Sequence, residues 1–130
     1  MNDLSNIVAT ERRLAILHPA TEEPVGLVLL LRPDSDPVVK AASRKAINDR
    51  MGARGKVTAE QLEASRLNML CASISGWQWN GDASFHGEKP AFEELVLRQL
   101  LKELPWLAEQ ADSALTDRAA FFQRADGEGG

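Results

Sequence analysis

With one cysteine, three tryptophans and four phenylalanines in 130 residues, the sequence is poor in the side chains that most often advertise chemistry. Cys71 has no partner for an internal disulfide, so a disulfide framework is excluded and a reducing compartment is expected. The opening Met1-Asn2-Asp3-Leu4-Ser5 lacks the basic and apolar stretches of a secretory leader, and none is expected. Long hydrophobic runs are also missing. The main candidate, Val25 to Leu31, falls far short of the roughly 20 residues of a spanning helix, so no membrane span is expected. A formal net charge of -4 supplies no global basic footprint for nucleic acid.

Catalytic patterns are equally scarce. Ser75 precedes Gly76 but follows Ser73 two positions on, so the nucleophile elbow of acyl-transfer enzymes is absent. His18 and His86 are far apart, and neither stands at helical spacing from another His or Cys, which argues against a transition-metal site. His18 reads as a strand-end or turn residue. Cys71 lies in an apolar-rich segment, where a buried, inert thiol is the expectation. The pairs Glu22-Glu23 and Glu93-Glu94 fall in a turn and in a helix's first turn, where negative charge suits the macrodipole. Gly52-Ala53-Arg54-Gly55-Lys56-Val57-Thr58 is no phosphate loop, because its glycines are too close and Val57 replaces the hydroxyl. Neither enzyme activity nor a cofactor is expected.

What remains describes a folded domain. Charged residues make up 26% and hydrophobic residues 44% of the chain, near the values of ordinary globular proteins. Leu14 to Leu17 and Val25 to Leu31 read as two strands around the turn His18 to Pro24. The second is apolar on both faces, with Val25, Leu27, Leu29 and Leu31 on one and Val28 and Leu30 on the other. A lone hairpin is marginal in water, so either helices or a partner must cover it.

Four helices are expected after the hairpin. Asp36 caps the first, which Pro37 opens and Gly52 ends, with Val38, Val39, Ala42, Ala46 and Ile47 as its apolar stripe. Thr58 and Gln61 form the capping box of the second, which the spacing of Leu67, Leu70, Ile74 and Trp77 carries to about Ser75. Trp77 to Pro90 has no periodicity and reads as a long loop. A third helix from Ala91 sets Phe92, Leu95, Val96 and Leu100 on one face, with Leu97, Leu101 and Leu104 beside it. Pro105 opens a fourth that carries Trp106, Leu107, Ala111, Leu115 and Phe122. The fold class is α+β, mainly α: an N-terminal hairpin packed on about four helices. Residues 1–11 are expected to be a flexible arm, 12–123 one domain, and 124–130 a glycine-rich flexible tail.

Charge is locally concentrated. Between Lys40 and Lys56, six basic residues against Asp49 give a net +5 within an acidic chain. Arg44, Lys45, Arg54 and Lys56 form a candidate basic patch, and Gly52 to Gly55 joins two helices as the backbone-clamping loop of a KH module does. The KH fold needs a third strand, however, and the segment after Trp77 carries no strand signal. A solvated helix face or an acidic protein partner is the commoner meaning of such a patch. Trp77 continues the helix stripe, whereas Trp79 is a candidate partner-facing aromatic.

In order along the chain, Leu17-His18-Pro19-Ala20-Thr21 with Glu23-Pro24-Val25, then Ile74-Ser75-Gly76-Trp77, Phe85 and Arg118-Ala119-Ala120-Phe121-Phe122 resemble the tail assembly chaperones of long-tailed phages. The resemblance spans about 12–122. It implies a non-enzymatic, virus-encoded protein of the host bacterial cytoplasm that coats the tape measure protein, recruits tail tube subunits and is absent from the mature virion. It also implies a longer frameshifted form, to which the glycine-rich end would be a linker, and it is compatible with a homo-oligomer. Within that frame Val28, Leu30 and Trp79 are the candidate partner-binding residues. The alternatives are a small nucleic-acid-binding regulator using the basic patch, and a structural virion connector or tail completion protein.

Overall fold

Pairing of two short strands sets the frame. In the computed structural model, which describes residues 4–52 and 58–122, β1 (Arg12–Leu17) and β2 (Pro24–Leu31) are antiparallel. His18 organises the turn between them: its Nδ1 accepts from the Ala20 and Thr21 N–H groups at 3.0 and 3.3 Å. Its backbone N–H donates to the Glu23 carbonyl at 2.8 Å, and Glu22 takes up the reversal at φ 60°. The expected turn role of His18 is thus observed.

A third strand, β3 (Ile74–Trp79), pairs antiparallel with the other edge of β2, giving the order β1-β2-β3. This corrects the expected helix through Ser75, the assignment of Trp77 to a helix stripe, and the expectation that no third strand exists. Ile74, Trp77 and the preceding leucines do match a helical period, but the segment is also β-branched, aromatic and glycine-containing, and β2 offers it an unpaired edge. Backbone pairing and burial on β2 decide the outcome. Arg32 marks the switch, because its Nη1 donates to the Ala72 carbonyl at 2.8 Å, a cation on the helix C-terminus.

The helices are α1 (Pro37–Gly52), α2 (Ala59–Ser73), α3 (Glu94–Glu103) and α4 (Pro105–Thr116). The α+β, mainly α architecture is as expected. Asp36 Oδ1 accepts the Val38 N–H at 2.8 Å, and Thr58 with Gln61 closes a complete capping box. Pro105 opens α4 as anticipated, but the helix ends at Thr116 and Phe122 lies beyond it, after a 3-10 turn Arg118–Phe121. Ala9 bridges Phe122, and the Thr10 N–H donates to the Phe121 carbonyl at 2.7 Å, so residues 9 and 10 of the expected arm are tied to the end of the domain. The expected tail, 124–130, lies outside the described residues.

The core lies between the sheet and α2, α3 and α4. Ile16, Leu29, Leu31, Ile74, Leu97, Leu100 and Leu107 are its largest fully enclosed side chains. On α3 the buried face is Leu97, Leu100 and Leu101, while Leu95 is 79% exposed, so the expected grouping of Leu95 with Leu100 is corrected. The stripe is rotated because α3 contacts α2 and α4 together, and the leucines facing both helices win. Helix α1 stands apart: its packing is against α2, and Val39 alone of its expected stripe is buried.

Candidate partner-binding surface

The alternation of β2 divides its apolar side chains between two environments. Leu27, Leu29 and Leu31 point to the helices and are buried, while Val28 and Leu30 point to the opposite face and are half-buried. On that open face Val28 is flanked by Ala15 and Gln78, and Leu30 by Arg13 and Gly76. Gly76 fits Leu30 closely, since a Cβ there would meet Leu30 Cδ1 at 3.3 Å. Two polar bridges reach across β2: Arg13 Nη2 donates to Gln78 Oε1, and Ser75 Oγ donates to Glu11 Oε2. The face is therefore an apolar strip under exposed polar straps. Such straps contribute about 1 kcal/mol or less each and open readily.

Trp79 does not belong to this strip. It pairs with Leu27, whereas Val28 pairs with Gln78, so Trp79 faces the helices and the three candidate residues do not form one patch. Trp77 lies edge-on to Trp79 at 5.5 Å and to Phe92 at 5.1 Å, and its Nε1 donates to the Pro90 carbonyl at 2.9 Å. These rings seal the end of the core beneath the 80–93 loop. The Trp79 indole N–H is enclosed with no hydrogen-bond partner among the described residues. Period-two alternation through Trp77, Gln78 and Trp79 was the sequence signal that would have separated Trp79 from Val28.

The β1 edge of the sheet is managed rather than bare. The Gln110 side chain of α4 brackets Leu17, accepting its N–H at 2.9 Å and donating to its carbonyl at 2.8 Å, which mimics a neighbouring strand. Arg12 Nη1 donates to the Ala114 carbonyl at 3.1 Å and fixes β1 to the same helix. Neither Gln110 nor Arg12 is distinguishable in the sequence from any other surface polar residue.

The basic patch is only partly described. Arg44 is exposed, Lys45 bonds Asp49 one turn away at 3.1 Å, and Arg54 and Lys56 lie outside the described residues. Lys45 and Arg50 border a groove of about 450 Å³ between α1 and α2 whose apolar lining includes Ala42, Ala46, Leu62 and Met69. The groove has no local sequence signature, because the gap depends on the angle between α1 and α2.

Other reactive groups occupy quiet settings. Burial pushes the Cys71 thiol above its ordinary value, with Arg98 opposing and Glu94 reinforcing, so the nucleophilic thiolate is disfavoured at neutral pH. His86 bonds Glu103 at 2.8 Å and ties the loop to the end of α3. Glu94 pairs with Arg98 at 2.9 Å along the first turns of α3. Among the described residues no group of His, Cys, Asp and Glu is arranged to hold a metal ion, and no helix is long and apolar enough to cross a membrane. Comparison with protein-family models, with curated proteins and with solved structures finds no match.

Proposed function

We propose that this chain is a tail assembly chaperone of a long-tailed phage, binding the tape measure protein and helping to recruit tail tube subunits without catalysing a reaction. The observation that carries the reading is the one-sided sheet: helices cover one face, while the other keeps Val28 and Leu30 as an apolar strip under polar straps. A face of that kind suits reversible protein association, because opening the straps costs little and burying the strip gains about 25 cal/mol per Å² of apolar surface. The segments behind the resemblance also lie at junctions. Leu17 to Val25 is the hairpin turn, Ile74 to Trp77 is the switch from α2 to β3, and 118–122 closes onto Ala9 and Thr10. Val28 and Leu30 remain the proposed contact residues; Trp79, turned toward the helices, is not among them.

Co-expression with the tape measure protein of the same phage tests the reading. Wild type should keep the client soluble and co-purify with it, and Val28→Asp or Leu30→Asp should lose it while retaining a wild-type circular dichroism spectrum. Recovery of client by folded variants at wild-type levels would refute the role of this face, and absence of any association with wild type would refute the chaperone reading.

A nucleic-acid-binding regulator is the second reading, and one observation favours it. With β3 present, β2-α1-α2-β3 supplies a strand-helix-helix-strand frame that the sequence pattern did not show. Against it, Lys45 is engaged by Asp49, and the aromatic cluster is turned toward the core. A gel shift with single-stranded or duplex DNA that weakens steeply with salt would favour this reading over the chaperone.

A further inference from the structure

The open sheet face is one apolar surface; the groove between α1 and α2 is another, and it differs in shape and charge. Helix α1 has 16 residues yet buries only Val39, because its main packing is against α2. Ala42 and Ala46 from α1 and Leu62 and Met69 from α2 make the apolar part of the groove, with Leu62 still 52% exposed. Small side chains on one wall let a further helix approach at the 8–10 Å spacing of ordinary helix packing, and methionine adapts to whatever apolar side chain arrives. The lining runs from Ala42 to Arg50 on α1 and from Gln61 to Met69 on α2, so at 1.5 Å per residue the groove spans about 12 Å, a seat for roughly two turns of a client helix.

Charge selects among occupants. The acid on the α1 side, Asp49, is already held by Lys45, whereas Arg50 borders the groove and is exposed. With Arg98 of α3, itself paired with Glu94, the charged lining is Lys45, Arg50 and Arg98 against Asp49, net positive within a chain of net -4. A helix carrying acidic side chains beside an apolar stripe satisfies both the groove and its rim. Nucleic acid would find phosphate partners but no aromatic platform, since the groove lining contains no aromatic residue. An extended peptide would find no strand edge, because both walls are helical.

We propose that the α1–α2 groove docks an amphipathic helix with acidic flanks, a proposal that rests on reading the chain as a chaperone for the tape measure protein. It assigns that client a seat separate from the Val28 and Leu30 strip, which is then free for a second copy or for a tube subunit.

Fluorescence anisotropy with labelled peptides of about 25 residues tiled along the tape measure protein tests this, alongside co-expression of the full-length client. The tiles that bind wild type should be acidic and amphipathic, should bind more tightly at low salt, and should lose about tenfold or more in affinity with Lys45→Glu/Arg50→Glu. Both positions are exposed, so this variant should keep the wild-type fold; Ala46→Glu, which blocks the apolar wall, should act in the same direction. Equal tile binding by wild type and both variants would overturn the groove while leaving the chaperone reading intact. So would recovery of full-length client in the absence of any binding tile. Loss of all association would overturn both proposals. A change in oligomer mass on mutation without any change in tile binding, or a shift of single-stranded DNA in place of peptide binding, would also overturn the groove as a client seat.

Discussion

Helices α3 and α1 both alternate apolar and charged residues, yet α3 buries three leucines in ten residues while α1 buries one valine in sixteen. Val38 and Ile47 of α1 are 48% and 51% exposed, as open to solvent as many polar side chains. The difference lies in the neighbours. Helix α3 is held between α2 and α4 beneath the sheet, whereas α1 leans mainly on α2. A pattern of apolar residues states that a face can be buried, and it is silent on whether the chain itself provides the cover. Where the cover is missing, the same pattern becomes an offer to a partner.

Mutations on the two helices should separate these roles. Leu100→Ala, at a fully enclosed position of α3, should cost about 2–5 kcal/mol in urea unfolding, through lost transfer energy and the cavity left behind. Thr58→Ala removes the capping box of α2, the helix that both α1 and α3 lean on, and should cost about 1 kcal/mol in the same measurement. Ile47→Ser on α1 should change stability by less than about 0.5 kcal/mol; a loss as large as that of Leu100→Ala would break the contrast and make α1 part of the core.

The smallest effect concerns the end of α3. Hydrogen bonds from the Gln99 amide and from His86 hold the Glu103 carboxyl below its usual value of 4.5. A depressed folded value gives stability that is present above the unfolded pKa and lost as the pH falls through the folded one. Melting curves at about pH 6 and about pH 3 should therefore show a slightly larger acid loss for wild type than for Glu103→Gln, slight because the carboxylate is exposed. Equal losses would show that the loop needs no help from this pair.

Much of the frame is legible in the sequence. The hairpin, the His18 turn, the capping box at Thr58 and Gln61, and the opening of α4 at Pro105 all rest on short-range chemistry and were read correctly. Ile74 to Trp79 was misread because its side chains satisfy two periods at once, and only the vacant edge of β2 selects the strand. Trp79 followed into error, since a residue placed in a loop has no face, while one on a strand has a definite one. On α3 the choice between Leu95 and Leu97 depended on where α2 and α4 stand.

Sequence alone determined which segments could be helical or extended and where most of them begin, because caps, prolines, glycines and spacing act within a few residues. Tertiary structure decided which apolar faces are covered by the chain's own elements. It put Leu29 in the core, left Val28 and Leu30 under polar straps, and opened a groove beside α1. The physical reason is that burial depends on contacts between residues distant in sequence, whose geometry no local pattern contains.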